Sequence, residues 1–297
     1  MTEENSILLS NNNNNSKKRL CHFMIRIAYR GNEFCGWERQ KTSTKPSVQE
    51  ILEDRLYPFL RSKKDNEKPA TVKIRACGRT DAGVSAIGQV CRFRTFTNNN
   101  ENNNTNTVTA TDIYNHLQYI PNNNDNSPTL NYHGIRAVDV KEVTEAFHPT
   151  FTAECRAYAY IIDTTTTITN NNVQYMNQIL QALKDEELDY YGMSYGKFKK
   201  ASTLCTLYHA RVCCVTTTST NNNNKTAICF EFVGNRFLRR MIRLLVQATL
   251  HLAFTTSIID KNNKNTLKDI IQQKDRTLIQ GNYKLDRAAP PDGLLFV

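Results

Sequence analysis

One aspartate stands out for its setting. In Ala76-Cys77-Gly78-Arg79-Thr80-Asp81-Ala82-Gly83-Val84 a single carboxylate lies between an arginine and two turn glycines. The preceding Val72-Lys73-Ile74-Arg75-Ala76 alternates apolar and polar side chains like a strand, and Gly78 and Gly83 permit positive φ or the close approach of another backbone. The spacing predicts Asp81 on a tight loop at a strand end. An isolated Asp-Ala-Gly of this kind most simply bonds its own backbone amides. With Arg79 beside it, Asp81 reads instead as an acid presented for chemistry.

A second constellation is cationic. Arg236, Arg239, Arg240 and Arg243 recur at i, i+3, i+4 and i+7, which predicts one face of a helix running from about Asn235 to Phe254. Four arginines with no acid among them repel one another unless anions or acids lie opposite. Guanidinium forks suit phosphate and carboxylate oxygens alike. Phosphate contact is expected for most of the stripe, with one arginine free to hold the catalytic carboxylate. The net charge of +10 agrees with a polyanionic partner.

Strand-like pieces lie at Phe23–Tyr29, Val72–Ala76, Gln89–Phe93, Tyr132–Val138, Tyr158–Ile162, Ala210–Val215 and Ala227–Val233. Helices are predicted over Pro46–Leu60, with a start near Ser47 and a kink or stop at Pro58, over Val173–Lys184, and over Thr266–Gln273. Strand pairs interspersed with helices point to an α+β fold with a mainly antiparallel sheet. Asparagine tracts at 11–15, 98–104, 122–124, 170–172 and 221–224 read as loop insertions, because such runs build no core. Residues 1–20 read as a disordered polar tail, residues 21–145 as an N-terminal half carrying the Asp81 loop, and residues 146–297 as a C-terminal half.

Composition narrows the class. The 297 residues are 39% hydrophobic, without a run long enough to span a membrane and without the apolar core of a secretory signal. Glu3 and Glu4, with no arginine near them, argue against a mitochondrial presequence. An intracellular address follows, with cytoplasm or nucleus ahead of mitochondrion. Nine cysteines without a Cys-x-x-Cys pair suggest neither zinc ligation nor a disulfide frame, and read as reduced, mostly buried thiols.

From roughly Phe23 to Val297 the chain resembles the TruA family of tRNA pseudouridine synthases. The likeness rests on six ordered segments: Tyr29 to Gln40 with Gly31, Gly36 and Trp37; Ser47-Val48-Gln49-Glu50; the Asp81 loop; Phe147-His148 followed by Arg156 to Tyr160; Asn235-Arg236-Phe237 through Met241-Ile242-Arg243; and Lys274-Asp275-Arg276 with Ala289 to Leu294. Departures occur at Ser85, where the family commonly has histidine, and at Thr150, where it often has arginine. Ser85 to Gln89 resembles the eukaryotic branch, whereas Asp81-Ala82-Gly83 and Gly36-Trp37 look bacterial.

The resemblance implies a pseudouridine synthase fold with two similar halves around a central cleft, and isomerisation of uridine in the tRNA anticodon stem-loop, at positions 38 to 40, without a cofactor. It assigns Asp81 as nucleophile, Arg243 as its partner, and Tyr158 as a base-stacking residue that also assists proton removal at C5. Addition of the carboxylate to C6 of the uracil and attack on C1′ of the ribose both remain open. Arg79 would hold the extruded nucleotide by its phosphate, and Leu294 would pack beside the pocket. Of Tyr158 and Tyr160, two apart on a strand, at least one is ordinary packing. Arg236, Arg239 and Arg240 remain for RNA contact. Bacterial-type members pair as homodimers and others work as monomers, so a homodimer stands as an expectation beside the tRNA partner.

Three other classes are weaker. A tRNA-binding protein that has lost catalysis has no need of the Asp81, Tyr158 and Arg243 set. A base deaminase requires a His/Cys metal-ligand set that the sequence lacks. A nucleotide-binding switch is poorly supported, because the sequence has no Gly-x-x-x-x-Gly-Lys-Ser/Thr run.

Overall fold

The computed structural model describes residues 18–62, 72–98, 107–118, 134–163, 168–196, 202–218, 224–255, 267–273 and 288–297. In chain order these form β1 (Lys18–Tyr29), α1 (Val48–Leu56), β2 (Arg75–Ala76), β3 (Ser85–Asn98), α2 (Ala110–Gln118), β4 (Ile135–Val143), β5 (Arg156–Asp163), α3 (Asn170–Gln181), β6 (Glu187–Asp189), β7 (Leu204–Thr218), β8 (Asn224–Gly234), α4 (Met241–Thr255), α5 (Leu267–Gln272) and β9 (Leu294–Phe296). The strands join in one sheet of order β4-β1-β3-β9-β5-β8-β7-β6, with β2 beside β3. All pairings between strands are antiparallel except β3 with β9. The α+β class and the mainly antiparallel, mixed sheet with flanking helices are as expected. Among the described residues, no helix is long and apolar enough to cross a membrane.

Strand alternation decides where the core lies. On β1, Cys21, Phe23, Ile25, Ile27 and Tyr29 are buried and pack with Val48, Ile51 and Leu52 of α1 and Ile113 and Leu117 of α2. A second core gathers Phe230 and Phe232 of β8, Val212 of β7, Met176 and Leu180 of α3 and Leu244, Leu245 and Ala248 of α4. The three residues of β9 sit between them. Leu294 belongs to the second core and Phe296 to the first, while Tyr158 of β5 packs against both. Ser85 and Ala86 pair with Leu295 and Phe296 on one side, and Tyr158 to Tyr160 pair with Phe296 to Leu294 on the other. This short strand therefore brings the start of β3, and the Asp81 loop before it, alongside Tyr158.

Several elements differ from the sequence reading, each for a local reason. The helix predicted from Asn235 begins only at Met241. The Asn235 carbonyl, which a helix would give to the amide four residues on, accepts from Arg156 at 2.8 Å, and the Asn235 side chain and amide are tied to Thr206 of β7. Asn170–Asn172 is no loop insertion: it forms the first turn of α3, where Thr169 and Asn172 exchange reciprocal capping bonds. Asn98 closes β3 and Asn224 opens β8, and the remaining tract residues lie outside the described residues. Residues 18–20 belong to β1 rather than to a tail, and β2 is shorter than predicted. Helix α2 is additional. Its start is a capping box between Thr109 and Asp112, a spacing visible in the sequence. Helix α1 ends at Leu56, and Pro58 follows in a 3₁₀ turn, as expected.

The Asp81 loop is fixed from below by α1. Ser47 caps the helix by accepting from Glu50 N, while Val48 N and Gln49 N donate to the carbonyls of Gly36 and Trp37. Trp37 N in turn donates to Thr80 O at 3.0 Å, and the Thr80 hydroxyl bonds the Tyr29 hydroxyl at 2.8 Å. Gly36 has φ +112°, and a Cβ there would come within 3.0 Å of Thr80 O. Gly36→Ala is expected to lower the unfolding free energy by about 1–3 kcal/mol in urea titration. An unchanged midpoint would show that the strand-to-loop contact does not need glycine.

Candidate active site

Asp81 comes from the N-terminal side of the seam and its cations from the other. Arg243 Nη1 donates to Asp81 Oδ2 at 3.2 Å. Arg239 Nε stands 3.8 Å from Oδ1 and Arg240 Nε 4.0 Å from Oδ2. Exposure separates their roles: the Arg243 side chain is 11% exposed and the Arg239 side chain 65%. Arg243 lies within the protein against the carboxylate, whereas Arg239 faces solvent. Burial pulls the Arg243 pKa down and Asp81 pushes it back up. The guanidinium nevertheless stays charged. It is held in place by Ala289, whose carbonyl accepts from Arg243 Nε and whose amide donates to Arg243 O.

Only Arg243 of the four arginines is helical. Arg240 sits at φ +61°, in the turn that starts α4, with its guanidinium 4.6 Å over the Tyr195 ring. Arg239, Arg240 and Arg243 converge on one carboxylate because a turn folds the first two back, not because they share a helix face. Arg236 is absent from this group and from the lining of the cavity in front of Asp81.

That cavity, of about 680 Å³, is lined by Trp37, Arg79, Asp81, Tyr158, Phe237 and Leu294, among others. The size suits a small ligand group. Tyr158 is held edge-on between Phe237, at 5.2 Å, and Phe296, at 4.8 Å. Such pairs each contribute about 0.5–1.5 kcal/mol beyond simple burial. Burial raises the Tyr158 pKa, with the neighbouring Tyr29 and Cys77 adding to it, so the phenol is neutral at physiological pH. Tyr160, two residues on, is buried with its hydroxyl on Pro290 O and is the packing member of the pair. Leu294 is buried at the cavity wall. Arg79 is exposed on the rim and pairs with Glu38 at 3.0 Å.

A positioning residue stands behind these groups. Arg156, at the start of β5, donates to Asn235 O at 2.8 Å, Thr150 O at 2.8 Å and Cys77 O at 3.4 Å. One guanidinium thus ties the approach to the Asp81 loop, the segment before β5 and the segment carrying the arginines. The sequence contained Arg156 within a motif but gave it no role; an arginine two residues before the cavity tyrosine on one strand was the available signal. The two departures have structural work: the Ser85 hydroxyl accepts from Gly31 N at 3.0 Å, and the Thr150 hydroxyl donates to Ala76 O at 2.8 Å.

Away from the cavity, Cys213, Cys229 and Glu231 meet across β7 and β8 with their ligand atoms within 4.8 Å of one another. Sequence spacing could not show this, because strand register makes the meeting. Arg211 already answers the Glu231 carboxylate at 2.6 Å.

A tRNA pseudouridine synthase family profile matches residues 25–141 and 189–296, most of the chain. The chain belongs to the TruA family of tRNA pseudouridine synthases. A protein named tRNA pseudouridine synthase A from Francisella philomiragia is 28% identical over 288 residues, covering 93% of this chain and 92% of its own. One of the same name from Buchnera aphidicola is 27% identical over 286 residues, covering 94% and 91%. Another from Ehrlichia chaffeensis is 36% identical over 140 residues, covering 47% and 46%. The matched stretches include the Asp81 loop and the Arg239–Arg243 turn of this TruA family member, and leave Tyr158 and Arg156 between them. Lys274-Asp275-Arg276 lies outside the described residues.

If Arg156 positions the TruA cleft, Arg156→Ala should lose about 1–3 kcal/mol of stability and slow single-turnover conversion, while RNA affinity stays close to wild type. Equal loss of affinity would instead make Arg156 an RNA contact.

Proposed function

We propose that this chain isomerises uridine to pseudouridine in the anticodon arm of tRNA, at positions 38 to 40, with Asp81 as nucleophile and without a cofactor. Membership of the family makes the protein an isomerase of the tRNA pseudouridine synthase class. The observation that supports Asp81 in particular is a carboxylate fastened by an inward-facing arginine in a cavity that Tyr158 also lines. Residues 21–145 supply the nucleophile and residues 146–297 the tyrosine and arginines. The same reading carries an intracellular address, cytoplasm or nucleus, where tRNA is met.

The reaction breaks N1–C1′, turns the uracil and joins C5 to C1′; C5 loses its proton and N1 gains one. Asp81 forms a covalent bond either to C6 or to C1′ and is released when the C5–C1′ bond is complete. Arg243 keeps the carboxylate aimed throughout. Tyr158 offers its ring for stacking on the extruded uracil, worth about 1–3 kcal/mol. Because burial keeps its phenol neutral, Tyr158 takes part in proton removal by relaying a proton rather than as a standing phenolate. Arg79 exchanges Glu38 for a backbone phosphate when RNA arrives, and Leu294 closes the apolar side of the pocket. Arg239 and Arg240, nearer solvent, meet phosphates flanking the target.

Unmodified tRNA transcripts carrying uridine at 38, 39 or 40 test the reading, with pseudouridine mapped chemically by primer-extension stops. Stops are expected with wild type and not with Asp81→Asn, which keeps the size of the side chain but not its nucleophilicity and should bind RNA nearly as well. Product from pure Asp81→Asn would defeat the mechanism. Arg239→Ala and Arg240→Ala should each weaken binding and lower the salt slope by about one unit at most. An unchanged slope moves the phosphate track elsewhere.

A further inference from the structure

A second cavity, of about 560 Å³, adjoins the first and shares Trp37, Glu38 and Arg79 with it, adding Arg75, His148 and Phe151 to its wall. Phe151 is 83% exposed. Lone exposed apolar side chains are ordinary on a protein surface, so exposure alone means little. This ring, however, is built into a stack: it lies 4.3 Å from the His148 imidazole at an interplanar angle of 28°. The imidazole is itself fixed. Its Nδ1 accepts from Thr150 N at 3.2 Å and Phe151 N at 3.3 Å, and its Nε2 lies 3.2 Å from Arg75 Nη1. Thr152 N closes the turn on His148 O at 2.9 Å. One face of Phe151 is thus backed by a held ring, and the other is open.

The charges around the stack are mostly positive. Arg75 and Arg79 flank the cavity on either side of Cys77, and Arg75 stands beside Arg92 across the β2–β3 pair. Glu38 is the acid of this wall, and Arg79 already pairs with it at 3.0 Å. An aromatic platform bordered by guanidiniums is the arrangement that receives an unpaired nucleotide: the base stacks and its phosphate meets the cations. A base within a duplex offers no free face to a side chain, so only a looped-out or single-stranded nucleotide suits it.

We propose that this second cavity is a nucleotide subsite, in which an unpaired base of the same RNA, adjacent to the target uridine, stacks on Phe151 while its phosphate contacts Arg75 and Arg79. The inference rests on the tRNA reading of the Asp81 cleft. The shared wall lets neighbouring nucleotides of one strand occupy both cavities, with Arg79 between them. Because Phe151 is already held, little rotamer freedom is lost when a base arrives.

Single-turnover conversion tests it, with enzyme in excess over tRNA transcripts that each carry one abasic residue at a successive anticodon-loop position. On intact RNA, Phe151→Ala should raise the half-saturating enzyme concentration about five- to a hundredfold with the saturating rate little changed, and Phe151→Trp should restore it. One abasic substrate should impose the same penalty on wild type and be indifferent to Phe151→Ala. An unchanged half-saturation for Phe151→Ala overturns the subsite, as does a Phe151→Ala penalty that persists on every abasic substrate, which would mean that the ring touches something other than a base. Conversion by wild type that ignores Phe151 therefore removes the subsite alone, whereas failure of wild type to convert or bind any tRNA removes the function and the subsite together.

Discussion

A carboxylate drawn partly out of water keeps one aim beside a fixed cation, and here the cation comes from the far side of the molecule. Asp81 belongs to a loop on the core built from β1, β3 and α1, and Arg243 to the first turn of α4 on the other core. The guanidinium is not comfortable alone: it is almost out of solvent, and burial works against its charge. Removing one partner of such a pair leaves the other uncompensated, which costs more than the pair itself contributes. The seam between the cores must therefore be held to the accuracy of a hydrogen bond.

The rest of the architecture meets that demand in layers. Strand β9, three residues long, pairs with β3 on one side and β5 on the other, so the loop before β3 and the tyrosine of β5 share a common reference. Helix α1 gives the amides of its first turn to Gly36 and Trp37, and Trp37 passes the constraint to Thr80. Arg156 ties three segments that meet behind the cavity. Each bond is modest on its own, but together they fix the position of the Asp81 carboxylate at the seam.

The sequence made local features more legible than the way the fold brings them together. Asp81, Gly83 and the strand ahead of them were readable because turn glycines and a lone acid carry local meaning. The arginine spacing was also readable, with one arginine expected on the carboxylate, but no helix face brings Arg239, Arg240 and Arg243 together: Arg156 takes the Asn235 carbonyl and a turn, with Arg240 at positive φ, does the gathering. Asparagine runs looked alike in sequence although Asn170–Asn172 is a capped helix start, because Thr169 precedes it. Strand β9 was too short for periodicity to reveal, and its identity depends on two strands more than a hundred residues earlier in the chain. The Phe151–His148 stack and the Cys213–Cys229 meeting are likewise products of turn and register, which no spacing rule encodes.

The central claim is that Arg243 acts on the reaction through Asp81 rather than by holding RNA. Release of tritium from C5-labelled uridine in tRNA, followed under single turnover with Arg243→Gln, tests this most directly, because C5 loses its hydrogen only if isomerisation proceeds. The account predicts a fall in the saturating rate on the order of a hundredfold, with RNA affinity near that of wild type. A normal rate, or a loss confined to affinity, would contradict it.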